Sequence, residues 1–178
     1  WLDHIAIDQQ SFLNGNNSGF GNFIGTPFRW QLDKNIQHSI LITPGYLEDS
    51  SLVHMVAWID FNQNGIFESS ENILKPGLKS KKEELCIFTI PSNAKLGTTR
   101  MRIMVKYAEN NIEAPTPCFQ SLEFGEYEEY CVDISEDECL PIQSATIKKI
   151  SNNEGMFEVD RGQSVNELSY QYYRLYDQ

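Results

Sequence analysis

From Thr99 to Tyr107 the chain reads TRMRIMVKY, in which Met101, Ile103, Val105 and Tyr107 alternate with Arg100, Arg102 and Lys106. A period of two is the mark of a β-strand with one dry and one wet face, and it is incompatible with an amphipathic helix. Four further stretches, NIQHSILI (35–42), SLVHMVAWID (51–60), ELCIFTI (84–90) and EYCVDI (129–134), are short, rich in β-branched and aromatic residues, and bounded by Gly, Pro, Asn or Ser. LVHMVAWI is apolar on both sides, which predicts a central strand covered on both faces. The turns TPG, KPG, IPSNAKLG and EAPTP separate these runs, since Pro cannot donate to a ladder and Gly permits positive φ. Helical periodicity is nearly missing. The pattern predicts an all-β fold, an antiparallel β-sandwich of jelly-roll or Ig-like type, over residues 1–135.

The 178 residues carry a formal net charge of −11, which repels a phosphate backbone and an anionic membrane surface, so nucleic acid is not an expected partner. No run of about 18 apolar residues exists, and no membrane insertion is expected. The opening WLDHIAID reads as the middle of a protein, so the chain is expected to be a processed product or a segment of something longer. The Asn- and Gly-rich stretch SFLNGNNSGFGNF (11–23) predicts a long loop pinned to the core by Phe20 and Phe23. At SEDECLP an acidic patch meets a proline, which places a boundary at 136. Beyond it, SATIKKI, GMFEVD and ELSYQYYRLY predict three more strands, a partial second β module over 136–178.

Cys86, Cys118, Cys131 and Cys139 show no C-x-x-C pair and no histidine at zinc-finger spacing, which argues against structural zinc. Their clustering fits a secreted protein with disulfides. Four cysteines allow three pairings. The expected one is Cys118–Cys131, joining a loop to the strand that follows it, with Cys131–Cys139 as runner-up.

DFNQNGIFESSE, Asp60 to Glu71, places oxygen-bearing residues at the first, third, fifth, ninth and twelfth positions and glycine at the sixth, the spacing of a calcium loop. Lys75-Pro76-Gly77 follows too soon for an exiting helix, so the loop is expected at the end of a strand. Asp60, Asn62 and Asn64 would supply side-chain oxygens, Ile66 its carbonyl, and Glu71 two oxygens; Glu68 would reach the ion directly or through water. Gly65 would make the sharp turn. Two or three carboxylates imply weak Ca²⁺ binding, with Kd on the order of 10⁻⁴ to 10⁻³ M. The competing reading is a polar turn whose Asp and Asn oxygens cap their own backbone amides.

GEYEEYCVDI (125–134), taken with AWIDFNQNGIFESSE and IPSNAKLGTTRMRI in that order, resembles the GEVED domain. WLDHIAID and SGFGNF resemble that family's first strand and Gly-Tyr segment, so the likeness spans about residues 1–135. Phe20 replaces the Tyr, Tyr127 the Val, Glu129 the Asp, and Asn64 stands where Asp is common. The resemblance implies a non-catalytic extracellular β-sandwich of large secreted or surface-attached bacterial proteins. Such modules often stand beside proteases, adhesive domains and fibronectin type III modules, and are often exported by the type IX route. The segment after Cys139 resembles the start of a fibronectin type III domain on strand pattern alone.

Alternation puts Glu126 and Glu128 on one face of the signature strand with Tyr130, opposite Tyr127 and Glu129. A carboxylate turned inward needs a cation or a donor. Arg100 or Arg102 of the TRMR strand is the expected salt-bridge partner, in preference to a metal.

His4, His38 and His54 are isolated on predicted strands, and no nucleophile elbow, phosphate loop or dinucleotide fingerprint occurs, so no enzyme is expected. The leading expectation is a calcium-stabilised structural or adhesive module, secreted or on the cell surface. Its partners would be calcium, neighbouring domains of the same longer chain, and glycans or other surface or secretion-machinery proteins. The alternatives are a carbohydrate-binding module using Trp30, Trp58, Tyr127, Tyr172 and Tyr173 as stacking faces where they are exposed, although Trp58, in the middle of a two-sided apolar strand, is expected in the core, and an accessory domain of a secreted protease.

Overall fold

A computed structural model describes residues 1–47, 50–109, 112–118 and 124–136, together with the backbone of 144–149, 154–160 and 171–174. The chain divides into two compact units, Trp1–Asp137 and Glu138–Gln178.

The first unit is a β-sandwich. One sheet has the order β2-β1-β5-β8, from β1 (Leu2–Ile7), β2 (Gln10–Leu13), β5 (Gln37–Pro44) and β8 (Glu84–Thr89), all antiparallel. The other runs β3-β10-β9-β6-β7, from β3 (Phe20–Asn22), β6 (Val53–Ile59), β7 (Lys79–Ser80), β9 (Gly97–Tyr107) and β10 (Gly125–Ser135). A further strand, β4 (Trp30–Asp33), also pairs with β10. Contrary to the purely antiparallel expectation, β3 and β4 run parallel to β10. Two short pieces follow one another along the same edge of an eleven-residue strand, one at Tyr127–Glu129 and one at Val132–Ser135.

Alternation builds the core. Ile5, Ile7, Ile40, Ile42 and Phe88 face Met55, Ala57, Ile59, Met101, Ile103, Val105, Tyr130, Val132 and Ile134, all buried. Every residue of β6 is buried, as its two-sided apolar sequence requires. Val56 and Trp58 leave the sandwich interior and join Phe67, Met104 and Tyr127 in a second, smaller cluster on the outer face. Phe23 stacks on Tyr130 with centroids 5.1 Å apart, whereas Phe20 lies outside, stacked on Tyr127 at 4.5 Å.

In the second unit β11 (Ser144–Lys149), β12 (Glu154–Asp160) and β13 (Gln171–Arg174) form an antiparallel sheet in that order.

Cys86, Cys118 and Cys131 are free thiols. The expected Cys118–Cys131 bond is not formed, because Cys131 turns its Sγ to the Ile24 carbonyl at 3.3 Å while Cys118 stays exposed. Cys139 lies outside the described residues.

Candidate functional site

β6 ends at Ile59, and the chain enters the Asp60–Glu71 loop, which closes in a short 3₁₀ turn at Ser69–Glu71. Asp60 and Glu71 are each only 3 % exposed. Asp60 accepts the amide of Asn64 at 3.1 Å on one oxygen and that of Gly65 at 2.9 Å on the other. Gly65 sits at φ +84°, the left-handed conformation expected of the sixth position. Asn62 Oδ1 caps the Asn64 amide at 2.9 Å, and Asn64 Oδ1 caps that of Ile66 at 2.8 Å. Glu71 accepts the Asn62 and Glu68 amides at 3.3 and 3.0 Å. Glu68 receives the side-chain amides of Asn62 at 3.0 Å and Asn64 at 3.3 Å.

Asp60, Asn62, Asn64, Glu68 and Glu71 are therefore one hydrogen-bonded cluster, as their spacing implies, while the Ile66 side chain faces solvent. No lysine or arginine pairs with any of the three carboxylates among the described residues. The nearest guanidinium, Arg100, donates instead to the Gly65 carbonyl at 3.0 Å. The donor set is all oxygen, which suits a hard cation such as Ca²⁺, and each carboxylate oxygen keeps acceptor capacity beyond the amide it already holds. No three Asp, Glu, His or Cys side chains among the described residues stand close enough to hold an ion by themselves. An ion here would draw on Asn62, Asn64 and the Ile66 carbonyl as well.

The second acidic cluster lies inside the sandwich. Glu126 and Glu128 are 1 % and 0 % exposed, and the salt bridges expected for them are not made. The reason is parity. β10 pairs with β9 so that Glu129, not its even-numbered neighbours, stands opposite Arg102, and both arginines project from the outer face. Arg102 Nε donates to Glu129 at 2.8 Å and Nη1 to the Pro117 carbonyl at 2.5 Å, with its guanidinium 4.9 Å from the Phe67 ring centre. Glu126 instead accepts backbone amides, from Leu2 at 2.9 Å and Asn17 at 2.6 Å. Glu128 accepts the Asn17 side chain at 2.7 Å and further bonds from Asn14 and the Tyr130 hydroxyl. Burial raises the Glu128 carboxyl to about 7; the Tyr130 and Asn14 hydrogen bonds oppose that rise, and Glu126 adds to it. Gly21 is small of necessity, since a Cβ there would stand 3.0 Å from Glu128 Cγ. Asn14 and Asn17 were not picked out as partners from sequence, where their only signal was an Asn-rich loop.

The profile of the GEVED domain matches residues 54–133, a span that starts in β6, contains the Asp60–Glu71 loop and ends in the Glu126–Glu129 strand. The chain carries a GEVED domain. No curated protein matches the sequence. GEVED domains are bacterial β-sandwich modules of structural type, often extracellular. Here the signature acids serve as buried acceptors that fix the loop at residues 14–19 and the first strand.

The expected sugar platform is corrected at Trp30, while Trp58 is buried as its two-sided apolar strand implies. Trp30 is 0 % and Trp58 3 % exposed, each packed in an apolar cluster. The side chains of Tyr172 and Tyr173 lie outside the described residues. The histidines sit on three strands: His4 meets Ser11 at 2.9 Å, His38 is bonded to Asp8 and the Asp33 carbonyl, and His54 to the Ile112 carbonyl.

Proposed function

We propose that this GEVED domain is a non-catalytic, calcium-stabilised structural or adhesive module of a larger exported bacterial protein, presented outside the cell in one chain with the β module of residues 136–178. The observation that carries the proposal is the pair Asp60 and Glu71, two nearly inaccessible carboxylates that, with Glu68, share one oxygen-lined loop and have no cationic partner among the described residues. Burying negative charge without a counter-ion is unfavourable, and a divalent ion would relieve it. When bound, calcium supplies charge neutralisation and a fixed centre for the loop. The residues themselves supply the acceptors and, through Gly65, the turn.

The test is thermal unfolding with excess chelator and with 10 mM calcium. At a Kd of 10⁻⁴ to 10⁻³ M the ion adds about 1.4 to 2.7 kcal/mol, a rise of several degrees. An unchanged midpoint rejects the calcium reading. A glycan-binding reading draws support from one feature, the stacked Phe20–Tyr127 pair with Phe20 44 % exposed; loss of binding on a glycan array in Phe20→Ala tests it.

A further inference from the structure

β8 ends its sheet, so among the described residues one of its edges has no strand beside it. Backbone groups on such an edge are open to pairing with another chain. Alongside β8 lies a cleft of about 520 Å³ whose lining includes Phe61, Ile73, Leu74, Cys86, Ile87 and Phe88. Leu85 and Ile87, on the outer face of β8, are 63 % and 56 % exposed, while Cys86 between them and Phe88 beyond them pack towards the core. Both sides of this edge are therefore apolar, and an added strand would satisfy its free amides and carbonyls while covering Leu85 and Ile87.

Charge identifies the occupant. Residues 75–84, leading into β8, hold four lysines and two glutamates on a chain whose net charge is −11. Lys75 lines the cleft, Lys79 is exposed on β7 of the other sheet, and Lys81 and Lys82 are exposed in the turn just before β8. Only Lys81 has an ion pair among the described residues, a 3.8 Å contact with Glu109 between two half-exposed side chains. Lysines beside an open edge oppose pairing with another basic strand and favour an acidic one. A second copy of the chain brings its own charge of −11 and is repelled by it as a whole.

We propose that the free edge of β8 receives an extended acidic peptide segment of a partner protein, which adds as a fifth strand to the sheet β2-β1-β5-β8 and sets its carboxylates against Lys75, Lys81 and Lys82. The proposal does not rest on calcium binding, although Phe61 of the Asp60–Glu71 loop is among the cleft residues.

Two synthetic octapeptides test it by NMR titration of the ¹⁵N-labelled chain. Both alternate Val and Thr; one ends in three glutamates, the end that antiparallel pairing sets against Lys81 and Lys82, and the other ends in three lysines. The acidic peptide is expected to shift the β8 amides, slow their exchange, and bind at least tenfold more tightly than the basic one. The double variant Lys81→Glu/Lys82→Glu is expected to reverse the preference, and Ile87→Thr to weaken both peptides tenfold while keeping it. Equal affinity for the two peptides, perturbation centred away from β8, no binding up to millimolar peptide, or concentration-dependent dimerisation through β8 overturns the proposal. Retained β8 cross-peaks in each variant verify that it is folded.

Discussion

Asn17 donates its side-chain amide to Glu128 at 2.7 Å and its backbone amide to Glu126 at 2.6 Å, so one loop residue ties down both inward acids of the signature strand from more than 100 positions away. A buried carboxylate that loses a donor keeps its full desolvation cost. Asn17→Ala is therefore expected to lower stability by about 1 to 3 kcal/mol in urea unfolding. Asn16→Ala, at an exposed residue whose oxygen caps only the Ser18 amide, is expected to cost less than about 1 kcal/mol. Equal losses would mean that the loop is held by something other than the acids.

Glu128 gives the domain a pH signature. Its carboxyl is raised from 4.5 to about 7 by burial. Between those values the native state keeps a proton that the unfolded chain has released, so the contribution to stability is fullest below pH 4.5, falls as pH rises to about 7, and is flat above. The full swing is on the order of 3 kcal/mol. Glu128→Gln has no proton to lose. The difference in unfolding free energy between pH 5 and pH 8 is expected to be at least halved in that variant, and an unaltered pH slope would assign the titration elsewhere.

Arg102 combines an ion pair to Glu129, a hydrogen bond to the Pro117 carbonyl and a face-on approach to Phe67. With the paired side chains 18 % and 10 % exposed, solvent weakens but does not cancel the interaction. Arg102→Ala is expected to destabilise by about 2 to 3 kcal/mol, and Arg102→Lys to recover less than half, because an ammonium cannot bond Glu129 and Pro117 in the same plane. Full recovery by lysine would show that charge alone matters. Urea denaturation at fixed pH distinguishes the two.

Alternation made much of the sandwich legible. Met101, Ile103 and Val105 were readable as inward from TRMRIMVKY, and the double-sided burial of β6 from LVHMVAWI, because side-chain direction in a strand follows position alone. The spacing of Asp60, Asn62, Asn64, Glu68 and Glu71 likewise revealed a cluster, since loop residues so near in sequence meet without long-range information. What eluded the sequence was pairing between distant segments. Nothing local announces that Asn14 and Asn17 reach Glu128, or that β3 and β4 attach in parallel to β10. The register that sets Glu129 rather than Glu126 or Glu128 opposite Arg102 emerges only when two strands are aligned. Trp30 illustrates the same limit, for an isolated aromatic side chain reads alike whether it is a sugar platform or a core residue, whereas the two-sided apolar strand around Trp58 marks that one as buried.

The Asp60–Glu71 loop distinguishes a metal site from a self-capped turn through Asn64. Its side-chain amide donates to Glu68 at 3.3 Å, so replacing it by a carboxylate removes a donor and sets two like charges together. Without calcium, Asn64→Asp is expected to unfold a few degrees below the parent. With 10 mM calcium the extra carboxylate strengthens a hard-cation site, and the variant is expected to match or exceed the parent. A self-capped turn predicts a lower midpoint in both conditions. Glu71→Gln removes a charge that would close the site but keeps one acceptor oxygen for an amide, so the calcium-dependent rise is expected to vanish while the chelated protein stays folded. Melting the parent and the two variants in chelator and in calcium decides the matter, because only a bound ion lets Asn64→Asp recover the midpoint it loses in chelator.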